Sequence, residues 1–255
     1  MIRTLTKSYF YLALLTFILF FSSIEAKNIY FISVPKSGTR IFASILSELT
    51  GKEINYWKIG NSPLDKEKIQ FQHFDDHLPE YLDCIMNDPD SICFLLKRDL
   101  RDVIVSAYYM SFNEPHIIIS DVEYYNSLNK EDKISYIMKH SWVINSAHKC
   151  ARCIKKHASN DRFVVISYEE MVGLTPSFIE KLSRIESNTD LVERVAERTL
   201  NSERGTKVGF RNGKTHDYID EFSPKNMDSF SFLKKLNKQL GYNDDSSPNK
   251  KRRKR

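Results

Sequence analysis

Short apolar runs separated by longer stretches of helical period set the pattern of this chain. Residues 28–34 (Asn28-Ile29-Tyr30-Phe31-Ile32-Ser33-Val34), 91–96 and 162–167 are rich in β-branched, leucine and aromatic side chains, as buried strands are. Residues 69–74 alternate apolar and polar positions like a shorter strand. Between these runs the period becomes that of helices. Ile41, Ile45, Leu46 and Leu49 share one face, and Gly51 marks the stop. Leu100, Val103, Ile104, Ala107 and Tyr108 form a second such face. Residues 130–157 make the longest helical pattern, carrying Ile134, Ile137, Trp142, Ile144, Ala147, Ala151 and Ile154. Further helices are predicted near 80–86, 175–186, 190–200 and 224–240, the last ending at Gly241. Residues 53–67 and 113–130 lack either period and are predicted to be irregular. No internal repeat is present. Strands alternating with helices predict an α/β fold, a three-layer α/β/α arrangement around a central parallel sheet. Ligands of such sheets gather at the carboxyl ends of the strands.

The chain has 255 residues, enough to bury the core of a single domain. Its net charge of +5 invites a nucleic-acid reading, but the six basic residues 250–255 account for it. Without them the body has 32 basic against 33 acidic residues, and no nucleic-acid-binding face is expected. Residues 1–26 differ from everything that follows. Arg3 and Lys7 precede a thirteen-residue apolar run, Tyr9 to Phe21, and then Ser22-Ser23-Ile24-Glu25-Ala26. This is the layout of a secretory signal peptide, with a membrane-anchored form as the second choice. The chain thus divides into a leader (1–26), a single globular domain (27–242) and a polar, basic tail (243–255) predicted to be disordered. Delivery to the secretory pathway, lumenal or secreted, follows, with the tail as a contact for a membrane or another acidic surface. Cys84, Cys93, Cys150 and Cys153 allow three disulfide pairings in an oxidising lumen. Cys150 and Cys153 have CxxC spacing without a second pair, so ordinary helix cysteines are expected rather than a zinc site.

The candidate chemistry begins where the first strand ends. Pro35-Lys36-Ser37-Gly38-Thr39-Arg40 separates that strand from the first helix. A turn with exposed N–H groups, a helix N-terminus and a lysine together favour an anion. Lys precedes Gly here, so the loop is not of the GxxxxGK[ST] type, and no magnesium-binding aspartate at a strand end accompanies it. A kinase or NTPase of the same layered fold is therefore disfavoured. Arg98 follows the strand 91–96, and Ser106 lies eight residues on, in the next helix. A guanidinium fork and a hydroxyl suit a second phosphate. Asp99 reads as a helix cap, and Asp99 and Asp102 as ordinary solvated charges on a first helical turn.

Several of these stretches, taken in order, are similar to motifs of one family. Pro35-Lys36-Ser37-Gly38-Thr39 resembles the 5′-phosphosulfate loop of sulfotransferases that use 3′-phosphoadenosine-5′-phosphosulfate. Arg98-Asp99 through Val105-Ser106-Ala107-Tyr108-Tyr109 resembles the 3′-phosphate motif of the cytosolic-type members. Tyr168-Glu169-Glu170-Met171 resembles their Tyr-Glu-Asp-Met element, and Phe210-Arg211-Asn212-Gly213-Lys214 resembles the segment that closes over the 3′-phosphate. His77-Leu78-Pro79 resembles the tripeptide that carries the catalytic base. The matches cover about residues 29–222.

The resemblance implies a P-loop-NTPase-like sulfotransferase fold and transfer of a sulfuryl group to a hydroxyl or amine. It implies that Lys36, Ser37, Gly38, Thr39 and Arg40 hold the donor's 5′ side, with Arg98, Ser106, Arg211, Asn212 and Gly213 on the 3′-phosphate and Tyr168 on the adenine. His77 is the expected base, Lys36 stabilises the leaving group, and no metal is required. His73, placed on the face of its strand opposite Phe71, is the rival base. Adenosine 3′,5′-bisphosphate is the expected product, and the acceptor is a small molecule, a glycan or a protein met by the segments 55–66 and 113–129. Ile41 stands where the family has an aromatic residue, Arg40 replaces a Thr, Asn212 a Lys, His216 a Gly, and Asp75 the Lys two residues before the base. These departures keep open a degenerate member that binds nucleotide or a partner without turnover.

Overall fold

The computed structural model describes residues 28–56, 65, 67–73, 78–203 and 215–243. The leader, the basic tail beyond Asn243, His77 and Arg211-Asn212-Gly213 lie outside these residues. Five parallel strands form one sheet: β1 (Asn28–Ser33), β2 (Ile54–Tyr56), β3 (Ile69–His73), β4 (Ser91–Lys97) and β5 (Phe163–Ser167), in the order β2-β3-β1-β4-β5. All six residues of β1 are buried, as its central position requires. Period-two alternation sends Tyr30 and Ile32 into one core and Ile29 and Phe31 into another. The first core is closed by helices Leu78–Asn87, Leu100–Met110, Lys130–His140 and Trp142–His157. The second is closed by Thr39–Thr50, Tyr168–Val172, Pro176–Leu182 and Thr189–Glu203. The expected three-layer architecture is what the chain adopts.

The sheet register prepares the site. Ser33 is level with His73 on one side and with Leu96 on the other, and Lys97 is level with Ser167. Four strands therefore end together. The chain runs outward from β1 to β2 and then, after β3, crosses to β4 on the far side of β1. That reversal opens a crevice at the end of β1.

Four expectations need correction. β2 lies in a segment predicted to be loop; three partly exposed edge residues carry too little periodicity to register. The long pattern 130–157 is two helices. Ser141, in extended backbone (φ −77°, ψ 136°), ends the first and caps the second by accepting the Val143 N–H. The apolar stripe runs through this break because both helices cover the same core. Residues 113–130 contain two short helices, Pro115–Ile118 and Val122–Ser127. The last predicted helix is three pieces, Pro224–Ser229, a 3₁₀ turn Phe230–Leu233, and Lys234–Gln239.

Candidate active site

Beyond the end of β1 the backbone turns sharply through Lys36 (φ 69°) and Gly38 (φ 83°) into helix Thr39–Thr50. Gly38 is the N-cap, with no side-chain cap bond, and the first turn contains no acidic residue. Helices Leu100–Met110, Lys130–His140, Trp142–His157 and Pro176–Leu182, by contrast, each receive a cap from Asp99, Asn129, Ser141 or Thr175. The first turn of Thr39–Thr50 thus keeps its N–H groups and dipole available to an outside anion. The Ser37 hydroxyl beside it is fully buried and has no hydrogen-bond partner among the described residues. A buried polar atom left in this state calls for a ligand or water.

Three chain segments meet over this turn. Arg98, just past β4, donates from Nη1 to the Lys36 carbonyl at 3.3 Å, and its guanidinium lies 4.1 Å from the centre of the Tyr168 ring. The same ring packs against Gly38, where a Cβ would fall 2.6 Å from Tyr168 Cδ2. Lys36 Nζ reaches Met110 Sδ at 3.2 Å, near the end of the helix that follows β4. Burial, and secondly the charge of Arg98, hold the Lys36 ammonium below the usual lysine range. Two cations are thereby brought to one partly buried place, which an incoming dianion would relieve.

On the other side of the turn a chain of short contacts leads to an imidazole. Thr39 Oγ1 and Ser33 Oγ are 3.0 Å apart, and Ser33 Oγ is 3.0 Å from His73 Nδ1. Burial lowers the His73 pKa from its ordinary value; the Ser33 carbonyl works against that, and Lys36 adds to it. Next to His73 stands an aromatic wall. Phe71 and His73 have ring centres 5.0 Å apart, Tyr56 packs on Phe71 at 5.4 Å, and Trp142 lies 6.2 Å from His73. His73 and Phe71 therefore share a face, as a period of two demands, and the opposite-face expectation is wrong. Trp142 Nε1 donates to the Ile117 carbonyl, bringing one of the two segments expected at the acceptor side to this wall.

Neither a family model nor a curated protein matches this sequence. Solved structures do. A mouse sulfotransferase, SULT7A1, complexed with PAP has a TM-score of 0.60 at 17% identity, over 85% of this chain and 89% of that one. Retinol dehydratase in complex with androsterone and the inactive cofactor PAP has a TM-score of 0.58 at 13% identity, over 87% and 82%. The fold is that of the sulfotransferases.

On this sulfotransferase fold, Lys36, Ser37, Gly38, Thr39, Arg98 and Tyr168 lie together at the end of the sheet. Arg40 is exposed, and Ser106 is half-buried in the helix after β4. Tyr168 is almost wholly buried, its ring set between Gly38 and Arg98. Ile41 is part of the second core rather than of the crevice. His77, Arg211, Asn212 and Gly213 fall outside the described residues.

Two residues escaped the sequence reading. Ser33 joins Thr39 to His73, and its only signal is a small polar residue closing an apolar strand. Asp102 is not a solvated first-turn charge: its side chain is fully buried, 3.8 Å from Arg98 Nη2. Asp99 is the cap that was expected, accepting the Arg101 N–H, and it also pairs with the buried Arg101 guanidinium.

Proposed function

We propose that the chain is a sulfotransferase that takes the sulfuryl group of 3′-phosphoadenosine-5′-phosphosulfate and passes it to an acceptor hydroxyl or amine. The carrying observation is the uncapped turn at Lys36–Thr39, with Lys36 and Arg98 converging on it and the Ser37 hydroxyl left without a partner among the described residues. This donor set fits a phosphosulfate and offers nothing that would select a neutral ligand. The fold's solved relatives with bound PAP support the same reading. When bound, the donor supplies an activated sulfur whose bridging oxygen leaves as the 5′-phosphate.

Each residue then has a definable task. Lys36 and the N–H groups of the first helical turn neutralise charge growing on the leaving phosphate, where fixed donors in a partly dry site act strongly. Ser37 and Thr39 orient that phosphate, and Arg98 holds the second one. The bond from sulfur to the bridging oxygen breaks as the bond to the acceptor oxygen or nitrogen forms. The acceptor's proton goes to an imidazole at the end of β3. Among the described residues, His73 is the imidazole that lies beside Lys36, and it is oriented through Ser33. The role first expected of His77 is therefore proposed for His73. The aromatic wall of Tyr56, Phe71 and Trp142 suits an acceptor with an apolar or aromatic body better than a polyanionic glycan. Secretory delivery through residues 1–26, and surface contact through the basic tail, are proposed on the sequence alone.

The test is transfer of labelled sulfate to a panel of phenols and alcohols by wild type, His73→Ala and His77→Ala. The His73 variant is expected to lose turnover by at least about a hundredfold while still binding adenosine 3′,5′-bisphosphate, in the range for a general base. In wild type the base works unprotonated, so kcat/KM should fall as pH drops. Because burial lowers the His73 pKa, that fall should come below the ordinary histidine value of about 6.5. Loss confined to His77→Ala returns the role to His77. Tight nucleotide binding with no transfer to any acceptor would establish the non-catalytic alternative instead.

A further inference from the structure

Behind the anion site, Asp102 has a set of contacts that neither capping nor packing explains. Helix Leu100–Met110 already has its N-cap in Asp99. Asp102, with its side chain wholly out of solvent, is held by groups from elsewhere in the chain. Its Oδ2 accepts the His216 N–H at 2.7 Å, and its Oδ1 accepts the Tyr218 N–H at 3.2 Å. Oδ2 also faces Arg98 Nη2 at 3.8 Å. His216 adopts φ 65°, a left-handed conformation costly for a residue with a Cβ, and its amide is the one with the shorter bond to the carboxylate. Tyr218 is fixed a second time, because the Arg101 guanidinium stacks 4.1 Å from its ring centre. Burial raises the Asp102 pKa, while Arg98 and the two amides pull it back. A carboxylate in such a place needs every partner it has.

The same three partners link two regions that are 114 residues apart in sequence. Arg98 lies between Asp102 and the site: one nitrogen faces the carboxylate, another donates to the Lys36 carbonyl, and the guanidinium plane rests on Tyr168. We propose that Asp102 is a positioning residue, fixing the Arg98 guanidinium on Tyr168 and tying the His216–Tyr218 backbone to the same carboxylate, so that recognition of the donor's second phosphate depends on it. The proposal rests on the donor reading given above. Asp102, wholly out of solvent, presents no surface to a ligand itself. Its effect should therefore appear as lost discrimination between nucleotides rather than as a general loss of binding.

Calorimetric titration of the full chain with adenosine 3′,5′-bisphosphate and with adenosine 5′-monophosphate separates these outcomes. Wild type should prefer the bisphosphate, since a charge-assisted contact to the extra phosphate is worth about ten- to a hundredfold. Asp102→Asn keeps the shape and removes the charge facing Arg98. It should cut that preference about tenfold and leave monophosphate affinity unchanged. Added to Arg98→Ala, Asp102→Asn should cost little more, because both changes act through one guanidinium. Full preference in Asp102→Asn, or an equal fall for both nucleotides, overturns the proposal while leaving the donor reading intact. Wild type that binds both nucleotides alike overturns the donor reading and the proposal with it. Should Asp102→Asn not fold, Asp102→Glu takes its place. The added methylene cannot keep both amide bonds and the approach to Arg98, so a partial loss of preference is expected. An unchanged preference again overturns the proposal.

Discussion

At Gly38 two requirements coincide. The turn needs φ of 83°, and the Tyr168 ring occupies the space a side chain would take. The first requirement alone costs about 1–2 kcal/mol for a residue with a Cβ. The second forces Tyr168 off Gly38 and so disturbs the surface on which Arg98 rests. Gly38→Ala is therefore expected to lower the melting temperature and weaken bisphosphate binding by about tenfold or more. Calorimetry and a thermal melt check both, and a variant with wild-type affinity would show that the Tyr168 contact is incidental to the site. Lys36 bears the same left-handed strain without glycine's freedom. It sits where strain is usually tolerated, at a place whose surroundings over-determine it: its carbonyl is held by Arg98 and its ammonium reaches Met110.

At the level of elements, the helix that follows β4 is anchored at its start by a distant piece of chain. Asn237, in helix Lys234–Gln239, is fully buried. Its Oδ1 accepts the Leu100 N–H at 2.9 Å, and its Nδ2 donates to Asp99 at 3.3 Å. Tyr242, a little further on, donates its hydroxyl to Glu169 at 2.6 Å, next to Tyr168. The C-terminal helices thus brace the elements that carry Arg98 and Tyr168. Asn237→Ala leaves a buried N–H without its acceptor, at a cost of about 1–3 kcal/mol. For a domain of this size each kcal/mol lowers the melting temperature by about 2–4 °C. A denaturant titration with an unchanged midpoint would contradict the bracing role. Nucleotide discrimination, in contrast to the Asp102 variant, should survive this change.

For the molecule as a whole, the two cores on either side of the sheet decide what its cysteines can do. Cys93 on β4 and Cys150 and Cys153 on helix Trp142–His157 share the first core, unpaired. Burial pushes the Cys153 thiol up to about 11 and raises those of Cys93 and Cys150 as well. Cys84 alone is exposed. Reaction requires thiolate and access, so near pH 8 the native protein should present one fast thiol to a disulfide reagent, and four once unfolded. Two fast native thiols would mean that the first core opens readily. Cys84→Ser removing the fast phase identifies its source.

The elements that form the candidate anion site are legible in the sequence because each is local. An apolar strand, a lysine-bearing turn with a glycine and an amphipathic helix follow one another within about two dozen residues, and periodicity with turn chemistry is enough to read them. The same holds for Arg98 at the end of β4 and for the layered α/β class. What the tertiary structure alone decided involves residues far apart along the chain. Ser33 meets His73 only through the register of β1 against β3, forty positions apart. Asp102 looks like any first-turn carboxylate until the chain returns with His216 and Tyr218 and closes water out. β2 acquires its strand character from pairing with β3 rather than from its own three residues, and the break at Ser141 is hidden because two helices cover one core. A pattern along the chain reports which way side chains face. Which partner they meet there is set by strand order, register and burial, and these exist only once the chain has folded.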